Sequence, residues 1–278
     1  MGLKNYLKRL FKYVAYEHKQ PIIHSDVIVS KSNKIHSDKI YLITGGGSGL
    51  GYAIAEKLVN EGAYVIITGR DKNKLIKAKE KLGDNCDFYI MDVSDIKDTN
   101  NIIEKIFNKY NRIDGIINNA GISLHEKNIL DVSIENYDKQ FDTNLKGAYF
   151  VSKKYIEMFF KAQQKNGSII FVSSERGSMC DDIPYGLTKV AINSLTEGLS
   201  RRFFKDGIRV NSIAPGVTCS NLTGISSEDD LYSNNASGRI LLPEEIAEIT
   251  SFILSDYSRC VSGEIIHCDG GNHIASYF

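Results

Sequence analysis

The chain has 278 residues, enough to bury one large hydrophobic core, and α/β sheets of this size commonly form one domain. Its 34 basic and 34 acidic residues balance, so no overall positive field favours a nucleic acid partner. Five cysteines, an odd number with no C-x-x-C pair, argue against a disulfide framework or a metal site, and we expect reduced thiols in a cytoplasmic protein.

The first 38 residues differ from the pattern that follows them. Leu3, Leu7 and Leu10 recur at helical spacing while most lysines fall elsewhere on the wheel, which predicts a basic amphipathic helix within residues 1–20. Such a helix can contact an anionic membrane surface weakly, pack on a sister subunit or fray. Residues 21–38 are polar and aperiodic and predict a linker or arm, so residues 1–38 form an N-terminal extension.

From residue 39 onward, short apolar runs alternate with segments of helical periodicity. The predicted strands cover residues 40–43, 64–68, 88–91, 113–118, 168–172, 208–213 and 264–267. Strands separated in this way predict right-handed crossovers and a doubly wound parallel sheet of about seven strands, with helices on both faces. Ligands of such sheets bind beyond the carboxyl ends of the strands. We therefore predict a single α/β domain over residues 39–278, with functional residues directly after strands.

The first predicted strand runs into a glycine-rich turn, Thr44-Gly45-Gly46-Gly47-Ser48-Gly49-Leu50-Gly51, which opens an amphipathic helix. Glycines let the backbone bend tightly and approach a phosphate, and the helix N-terminus offers unpaired N–H groups and a positive dipole end. The turn departs from Gly-x-Gly-x-x-Gly because position 50 is leucine. It is either a loop that only joins strand to helix or a dinucleotide-binding turn. In the second case the residues against the cofactor are Gly45, Ser48, Gly49, Leu50 and Gly51.

The spelling Thr-Gly-x-x-x-Gly-x-Gly resembles the short-chain dehydrogenase/reductase family. The resemblance continues through Asn118-Asn119-Ala120-Gly121 and Tyr185-x-x-x-Lys189, and it covers residues 39 to about 271. It implies a Rossmann-type fold, a nicotinamide cofactor, and hydride transfer between a secondary alcohol and a ketone or aldehyde. It further implies that Asn119, Ala120 and Gly121 support the sheet centre and the cofactor ribose.

The end of the second strand bears on the choice of cofactor. An acidic residue there would bind the adenosine ribose and favour NAD, but the family alignment places Gly69 at that position, followed by Arg70. A guanidinium pairs well with a 2′-phosphate, so NADP (NADPH) is favoured over NAD. Asp71 complicates this choice unless it caps the next helix. The resemblance also implies that Asp92 and Val93 contact the adenine, although a lone aspartate is equally common as a turn residue.

Tyr185 and Lys189 are four residues apart, so in a helix both side chains reach one site. A tyrosine with a pKa of about 10 is a poor base at neutral pH. A neighbouring ammonium and a positively charged nicotinamide would lower the pKa of the phenol. The phenol could then take the proton of an alcohol or protonate a carbonyl. A Tyr-x-x-x-Lys pair alone is common in surface helices, so the interpretation depends on the motifs around it.

A serine pair ends the fifth strand. The resemblance selects Ser174 over Ser173 as the active serine, because Ser174 stands three residues before Gly177, and its hydroxyl would stabilise charge on the substrate oxygen. The connection from Ser174 to Tyr185 is shorter than is common in the family, so residues 178–184 should form a tight loop, and the serine register stays open. The resemblance adds Asn144, which in the family binds a water on a proton path from the lysine.

Three acidic residues near this serine have open roles. Asp181 and Asp182 either form an acidic rim for a polyhydroxylated substrate or are simply solvated, and Glu175 is similarly ambiguous. After the sixth strand, the resemblance places Pro215 and Gly216 beside the nicotinamide.

Thr218 or Ser220 is then placed to bind the nicotinamide carboxamide. Residues 221–238 are polar and aperiodic, and they form either a mobile lid over the substrate or a disordered insertion.

These motifs together predict an NADP-dependent oxidoreductase that acts on a small-molecule alcohol or carbonyl compound. Its catalytic residues are Asn144, Ser174, Tyr185 and Lys189. The alternative is a sensor or regulatory protein that binds NADP on the same fold with little or no turnover. The resemblance further implies that the remaining apolar surface of the helical region predicted over residues 137–164 meets another subunit, so a homodimer or homotetramer is expected.

Overall fold

A computed structural model of the chain describes residues 34–220 and 222–274, so the predicted amphipathic helix lies outside the described residues. The strands are β1 (Ile40–Thr44), β2 (Tyr64–Gly69), β3 (Cys86–Ile90), β4 (Gly115–Asn118), β5 (Gly167–Val172), β6 (Ile208–Pro215) and β7 (Ile265–Cys268). The helices are α1 (Gly49–Asn60), α2 (Lys72–Leu82), α3 (Ile96–Tyr110), α4 (Ile134–Phe141), α5 (Ala148–Lys161), α6 (Pro184–Phe203) and α7 (Pro243–Leu254).

The strands form one sheet in the order β3-β2-β1-β4-β5-β6-β7, and every neighbouring pair is parallel. The order reverses between β1 and β4, which opens a crevice at the carboxyl ends of these two strands. The predicted seven-stranded, doubly wound sheet is confirmed, and the strand boundaries differ from the predicted ones by at most two residues.

Alternate residues of β1 enter different apolar layers, as expected for a strand buried on both faces. Ile43 packs in the layer that contains Ile54 of α1 and Ile246 of α7, whereas Leu42 belongs to the layer that contains Phe159 of α5. The two apolar layers cover the faces of the sheet but not its carboxyl edge. The turns that follow the strands at that edge can therefore form a site.

The helical region predicted over residues 137–164 is divided in two by a π-helical turn, Asp142–Gly147. A π-turn rotates the side chains inside it relative to the flanking α-helices, and such turns are frequent at functional sites. Periodicity alone did not reveal this insertion, because α4 and α5 each keep an ordinary helical pattern.

The last residues of the N-terminal extension already contact the α/β domain. His36 is fully buried; its Nδ1 lies 2.8 Å from the Tyr41 hydroxyl and its Nε2 lies 3.1 Å from Ser251 Oγ of α7. Burial lowers the pKa of His36, which favours the neutral imidazole. The boundary at residue 39 stays a prediction. Across residues 34–220 and 222–274, no helix is both long and apolar enough to cross a membrane.

The segment between β6 and α7 is folded rather than a disordered insertion. Leu231 is almost completely buried, in a small apolar cluster with Cys219, Ile240 and Leu242. Bridges between Ser220 and Ile225 and between Tyr232 and Arg239 hold the intervening turns. Asn221 lies outside the described residues, and closure of this segment over a substrate stays a prediction.

Candidate active site

A cavity of about 660 Å³ lies at the carboxyl edge of the sheet, a size typical of pockets for small molecules and cofactors. The residues predicted to bind the cofactor all line it: Gly45, Ser48, Gly49, Leu50, Gly51, Arg70, Asp92, Val93, Asn119, Ala120, Gly121, Tyr185, Lys189, Pro215, Gly216, Thr218 and Ser220. Ser174 lines it too, whereas Asn144 lies behind its wall. One cavity therefore joins the glycine-rich turn to the Tyr-x-x-x-Lys helix.

The glycine-rich turn has the shape of an anion cradle. A Cβ at Gly51 would overlap the Asn119 side-chain amide and the Gly45 carbonyl, and Gly45 has a φ of +68°, which side chains rarely adopt. Asn119 donates from Nδ2 to the carbonyls of Thr44 (3.0 Å) and Gly45 (3.1 Å), which fixes the turn against the end of β4.

The N-terminus of α1 is open to a ligand. Ser48 precedes α1, yet its side chain makes no capping hydrogen bond, so the first N–H groups of this helix remain available. A dinucleotide pyrophosphate fits this cradle, since it supplies the acceptor oxygens and the negative charge that the helix N-terminus lacks.

The end of β2 presents a cation to the cavity. Arg70 has a side chain more than half exposed, and its Nη1 is 3.8 Å from Asp92 Oδ2, a loose contact. Asp71 is the N-cap of α2 and accepts hydrogen bonds from the backbone N–H groups of Asn73 (2.9 Å) and Lys74 (3.1 Å), which confirms the predicted capping role. Lys74 also lines this end of the cavity. The carboxylate of Asp71 is thus engaged, and two cationic side chains face the same region.

Asp92 has the turn role that was one of its two alternatives, and its contact with the adenine stays a prediction. It lines the cavity, and its Oδ1 accepts hydrogen bonds from Ser94 N (2.9 Å) and Ser94 Oγ (2.7 Å). The turn after β3 is therefore held by the same carboxylate that faces the cofactor region.

Tyr185 and Lys189 lie in the first turns of α6, which begins at Pro184, a favourable first helical residue. The Lys189 Nζ is 5.5 Å from the centre of the Tyr185 ring and donates to the Val172 carbonyl at the end of β5 (2.7 Å). Lys189 is buried, and this hydrogen bond fixes its ammonium at the base of the cavity.

Burial controls the proton affinities of this pair. It raises the pKa of the Tyr185 phenol above its ordinary value, and the nearby Ser174 hydroxyl and Arg176 guanidinium offset part of that rise. It lowers the pKa of Lys189 to about 8. The expected lowering of the phenol pKa is thus not a property of the protein alone, because the cost of burying a phenolate exceeds the stabilisation that its neighbours provide.

The two serines after β5 point to different partners. Ser173 donates from Oγ to Asn193 Oδ1 (2.6 Å) and contacts the Lys189 carbonyl (3.4 Å), so its hydroxyl joins β5 to α6. The Ser174 hydroxyl accepts from Arg176 N (3.3 Å) and lies close enough to Tyr185 to affect the pKa of the phenol. The geometry favours Ser174 as the serine beside the phenol.

Asn144 occupies the π-turn and is almost completely buried. Its amide is satisfied by the backbone of Ile122, whose N–H donates to Oδ1 (2.8 Å) and whose carbonyl accepts from Nδ2 (2.8 Å). Nδ2 also lies 3.3 Å from Thr188 Oγ1 in α6. A Cβ placed on Gly121 would be 3.4 Å from Asn144 Oδ1 and 3.7 Å from Lys189 Nζ, so both side chains approach the same backbone position.

The loop over residues 178–184 is tight, as expected, but its acidic residues do not form a rim. The Asp181 side chain is 1% exposed, pairs with Arg176 Nε and accepts from Ile183 N (3.2 Å). A Cβ at Gly186 would overlap this carboxylate, so Asp181 packs directly on the first turn of α6.

Neither acidic residue of this loop faces the cavity. Asp182 accepts from Ile129 N (3.1 Å) and, like Asp181, does not line the cavity. The acidic rim was one of two alternatives for this pair. The contacts favour a structural role for Asp181, whereas Asp182 is exposed to solvent, which is the other alternative.

The turn after β6 borders the opposite wall. Thr218 donates from Oγ1 to the Gly216 carbonyl (2.9 Å), and Ser220 lies 3.2 Å from Thr223 Oγ1. Both line the cavity, so the geometry does not choose between them as the partner of a carboxamide.

Some lining residues could not be singled out from the sequence. His125 follows the Asn-Asn-Ala-Gly turn with a φ of +57°, rare for a histidine, and its Nε2 is 3.0 Å from the Leu222 carbonyl. Ser123 and Thr223 line the same half of the cavity. Their proximity to the predicted motifs was the only available signal. Within the described ranges, no cluster of three histidine, cysteine or carboxylate side chains could hold a metal ion.

A parallel doubly wound sheet with a glycine cradle at its switch point and a Tyr–Lys pair on the facing helix defines a dinucleotide-dependent oxidoreductase. Residues 45–273 match the family model described as enoyl-(acyl carrier protein) reductase. The 3-oxoacyl-(acyl-carrier-protein) reductase FabG of Thermotoga maritima is 34% identical over 241 residues, which cover 84% of this chain and 97% of that protein. The corresponding Escherichia coli enzyme is 30% identical, with 85% and 98% covered.

Solved structures agree with the sequence comparison. The 3-ketoacyl-(acyl-carrier-protein) reductase of Brucella melitensis complexed with NADH has a TM-score of 0.80 at 28% identity, covering 86% of this chain and 99% of that one. Levodione reductase has a TM-score of 0.80 at 27% identity, covering 87% and 100%. The chain belongs to the short-chain dehydrogenase/reductase family and is an NAD(P)-dependent oxidoreductase.

Proposed function

We propose that this enzyme reduces a ketone to a secondary alcohol with NADPH, and that Tyr185 donates the proton. The observation that carries the proposal is the placement of Ser174, Tyr185 and Lys189 on the wall of the cavity that also contains the glycine cradle. The bound nicotinamide supplies the hydride. The substrate carbonyl would lie between this nicotinamide and the phenol, in hydrogen-bond reach of Tyr185 and Ser174.

The chain's own residues then manage the proton and the developing charge. The Ser174 hydroxyl donates to the carbonyl oxygen as negative charge accumulates there, and the phenol protonates that oxygen. Because burial raises the pKa of Tyr185, the phenol is protonated at neutral pH, which is the form that carbonyl reduction requires.

Lys189 and Asn144 are assigned supporting roles. Lys189, with a pKa of about 8, can return a proton toward the phenol. Asn144 would complete a water-mediated path from Lys189, a role supported by the approach of both side chains to Gly121.

The preference for NADPH is assigned to Arg70. Its exposed guanidinium lines the adenosine end of the cavity. The neighbouring Asp71 accepts hydrogen bonds from the first N–H groups of α2, which leaves Arg70 and Lys74 as the cations available to a 2′-phosphate there. A related enzyme has been solved with NADH, so the fold alone does not select NADPH, and we attribute the choice in this chain to these side chains.

The direct test is NADPH oxidation against a chemically diverse panel of ketones, including sugar-like, acyl and cyclic compounds. We expect turnover of at least one class and a higher kcat/KM with NADPH than with NADH. Tight NADPH binding without turnover of any compound would instead favour the sensor interpretation.

Arg70→Ala should weaken NADPH binding by about 10- to 100-fold, since a hydrogen-bonded contact to a charged group contributes roughly 1.5–3 kcal/mol. NADH affinity should be unchanged, because NADH has no 2′-phosphate. Isothermal titration calorimetry with both cofactors measures the difference. Lys72→Ala is the matched control, because Lys72 is an exposed cation on the same turn that does not line the cavity. Equal losses for the two cofactors would contradict the assignment.

A homodimer or homotetramer is proposed on the basis of apolar side chains on α5 and α6. Tyr149, Phe160, Leu187 and Val190 are each 40–47% exposed, which is unusual for apolar side chains on two neighbouring helices of an isolated subunit. All five cysteines are free thiols, in keeping with the proposed cytoplasmic location.

A further inference from the structure

Glu175, the residue directly after Ser174, is a buried carboxylate that lines the active-site cavity. Glu175 is only 8% exposed and begins the short 3₁₀ turn Glu175–Ser178. The mechanism above uses the hydroxyl of Ser174 but gives Glu175 no part. Burying a carboxylate is unfavourable unless its oxygens are hydrogen-bonded, so the partners of both Glu175 oxygens matter.

One of its two oxygens has a structural partner. Oε2 accepts from Asn272 Nδ2 (3.0 Å) and lies against the backbone of Gly216, where an added Cβ would be 3.1 Å from it. This contact ties the serine turn to the turn that follows β7. The carboxylate is thereby held between Ser174 and the Pro215-Gly216 wall, next to the region where the reacting carbonyl would lie.

The other oxygen has no such partner. Oε1 makes no hydrogen bond with a described residue and is not among the fully enclosed polar atoms. Because Glu175 lines the cavity, Oε1 is the oxygen left available to a ligand there. The nearest cation in sequence, Arg176, directs its Nε to Asp181. Burial raises the pKa of Glu175, and the nearby Asp269 carboxylate adds to the rise, while Asn272, Arg176 and His273 offset part of it.

A carboxylate oxygen held at this position favours a substrate that has a hydrogen-bond donor beside its reacting carbonyl. We propose that Glu175 Oε1 accepts a hydrogen bond from a hydroxyl group on the carbon next to the reacting carbonyl, so that the preferred substrates are α-hydroxy ketones. This inference rests on the proposed reductase function. A purely apolar acyl chain at the same place would leave the carboxylate desolvated and unpaired, which disfavours that class of substrate.

Glu175→Gln tests the proposal with almost no change of shape. The Asn272 amide must still meet an oxygen, so the glutamine carbonyl should take the place of Oε2 and the glutamine NH₂ should face the cavity. The variant keeps the structural contact and replaces the acceptor with a donor. Asp182→Asn is the control, because Asp182 is in the same connection but does not line the cavity.

The measurement compares two ketones of equal size, 2-hydroxycyclohexanone and 2-methylcyclohexanone. Wild-type protein and Asp182→Asn should have a kcat/KM for the hydroxy ketone at least about tenfold higher than for the methyl ketone. This ratio is the usual effect of one hydrogen bond to a charged group. In Glu175→Gln this ratio should fall by about fivefold or more while the melting temperature stays unchanged, because the amide NH₂ can only donate to the hydroxyl oxygen and the charge-assisted hydrogen bond is lost. An equal kcat/KM for both ketones in the wild type, or an unchanged ratio in Glu175→Gln, would overturn the proposal.

A binding measurement separates this proposal from the proposed function. Calorimetry on the NADP⁺-loaded protein compares cis-1,2-cyclohexanediol with cis-2-methylcyclohexanol. Glu175→Gln should bind the diol about tenfold more weakly and the methyl compound equally well. If no compound of the ketone panel is reduced, the reductase function fails, and this titration alone decides the role of Glu175: equal affinity of the wild-type protein and Glu175→Gln for the diol rejects it.

Discussion

Tyr185→Phe should lower kcat for carbonyl reduction by about 10²- to 10⁴-fold, the usual contribution of a positioned general acid. Phenylalanine keeps the ring that packs on the cavity wall and removes only the hydroxyl that supplies the proton. NADPH affinity should remain at the wild-type value, because the glycine cradle and Arg70 are untouched. Steady-state kinetics at saturating ketone, with cofactor binding measured separately by fluorescence, checks both expectations.

Tyr257→Phe is the matched control for this loss. Tyr257 is 74% exposed and lies outside the cavity, so the same chemical change there should leave kcat intact. Near-normal turnover by Tyr185→Phe would show that the Tyr185 hydroxyl is not the proton donor, even though it lines the cavity.

The adjacent serines should give opposite results when each is changed to alanine. Ser174→Ala should reduce kcat by about 10²- to 10³-fold, the usual loss for one donor to a developing oxyanion. Its melting temperature should change little, because the backbone contact of the Ser174 hydroxyl, to Arg176 N, is long, and its other neighbour, the Tyr185 phenol, is at the open wall of the cavity.

Ser173→Ala should instead keep its kcat and lose stability. The change removes the 2.6 Å hydrogen bond to Asn193 and leaves a partly buried amide oxygen without its donor, at a cost of about 1 kcal/mol. Thermal unfolding and steady-state kinetics on both variants separate the two effects. A large loss of turnover in Ser173→Ala, with Ser174→Ala unaffected, would reverse the register.

Much of the fold and of the cofactor cleft could be predicted because their signals are local. Gly45 and Gly51 lie in a turn that has no room for larger side chains. Asp71 directly precedes a helix and is of a residue type that commonly caps a helix N-terminus. Continuous apolar runs, separated by helical segments, also indicate which strands are buried on both faces. Each of these inferences depends on neighbours within a few residues of the chain, so the sequence contains the information directly.

The parts that could not be predicted depend on contacts between distant or reoriented residues. Asp181 was interpreted as solvent-facing or substrate-facing because its pairing with Arg176 and its packing on Gly186 exist only once the loop has closed. The role of Glu175 was ambiguous because Asn272, its partner, is 97 residues away. The pKa of Tyr185 was expected to fall because neighbouring charges are visible in a motif, whereas burial is not.

The small apolar cluster of Cys219, Leu231, Ile240 and Leu242 is separate from the two layers that stabilise the sheet. The segment between β6 and α7, which borders the cavity at Leu222 and Thr223, therefore has an apolar anchor of its own. Polar positions between these anchors can be exchanged during evolution without weakening the domain beneath them. Relatives could diversify the compounds they accept through this segment while retaining the same cofactor chemistry.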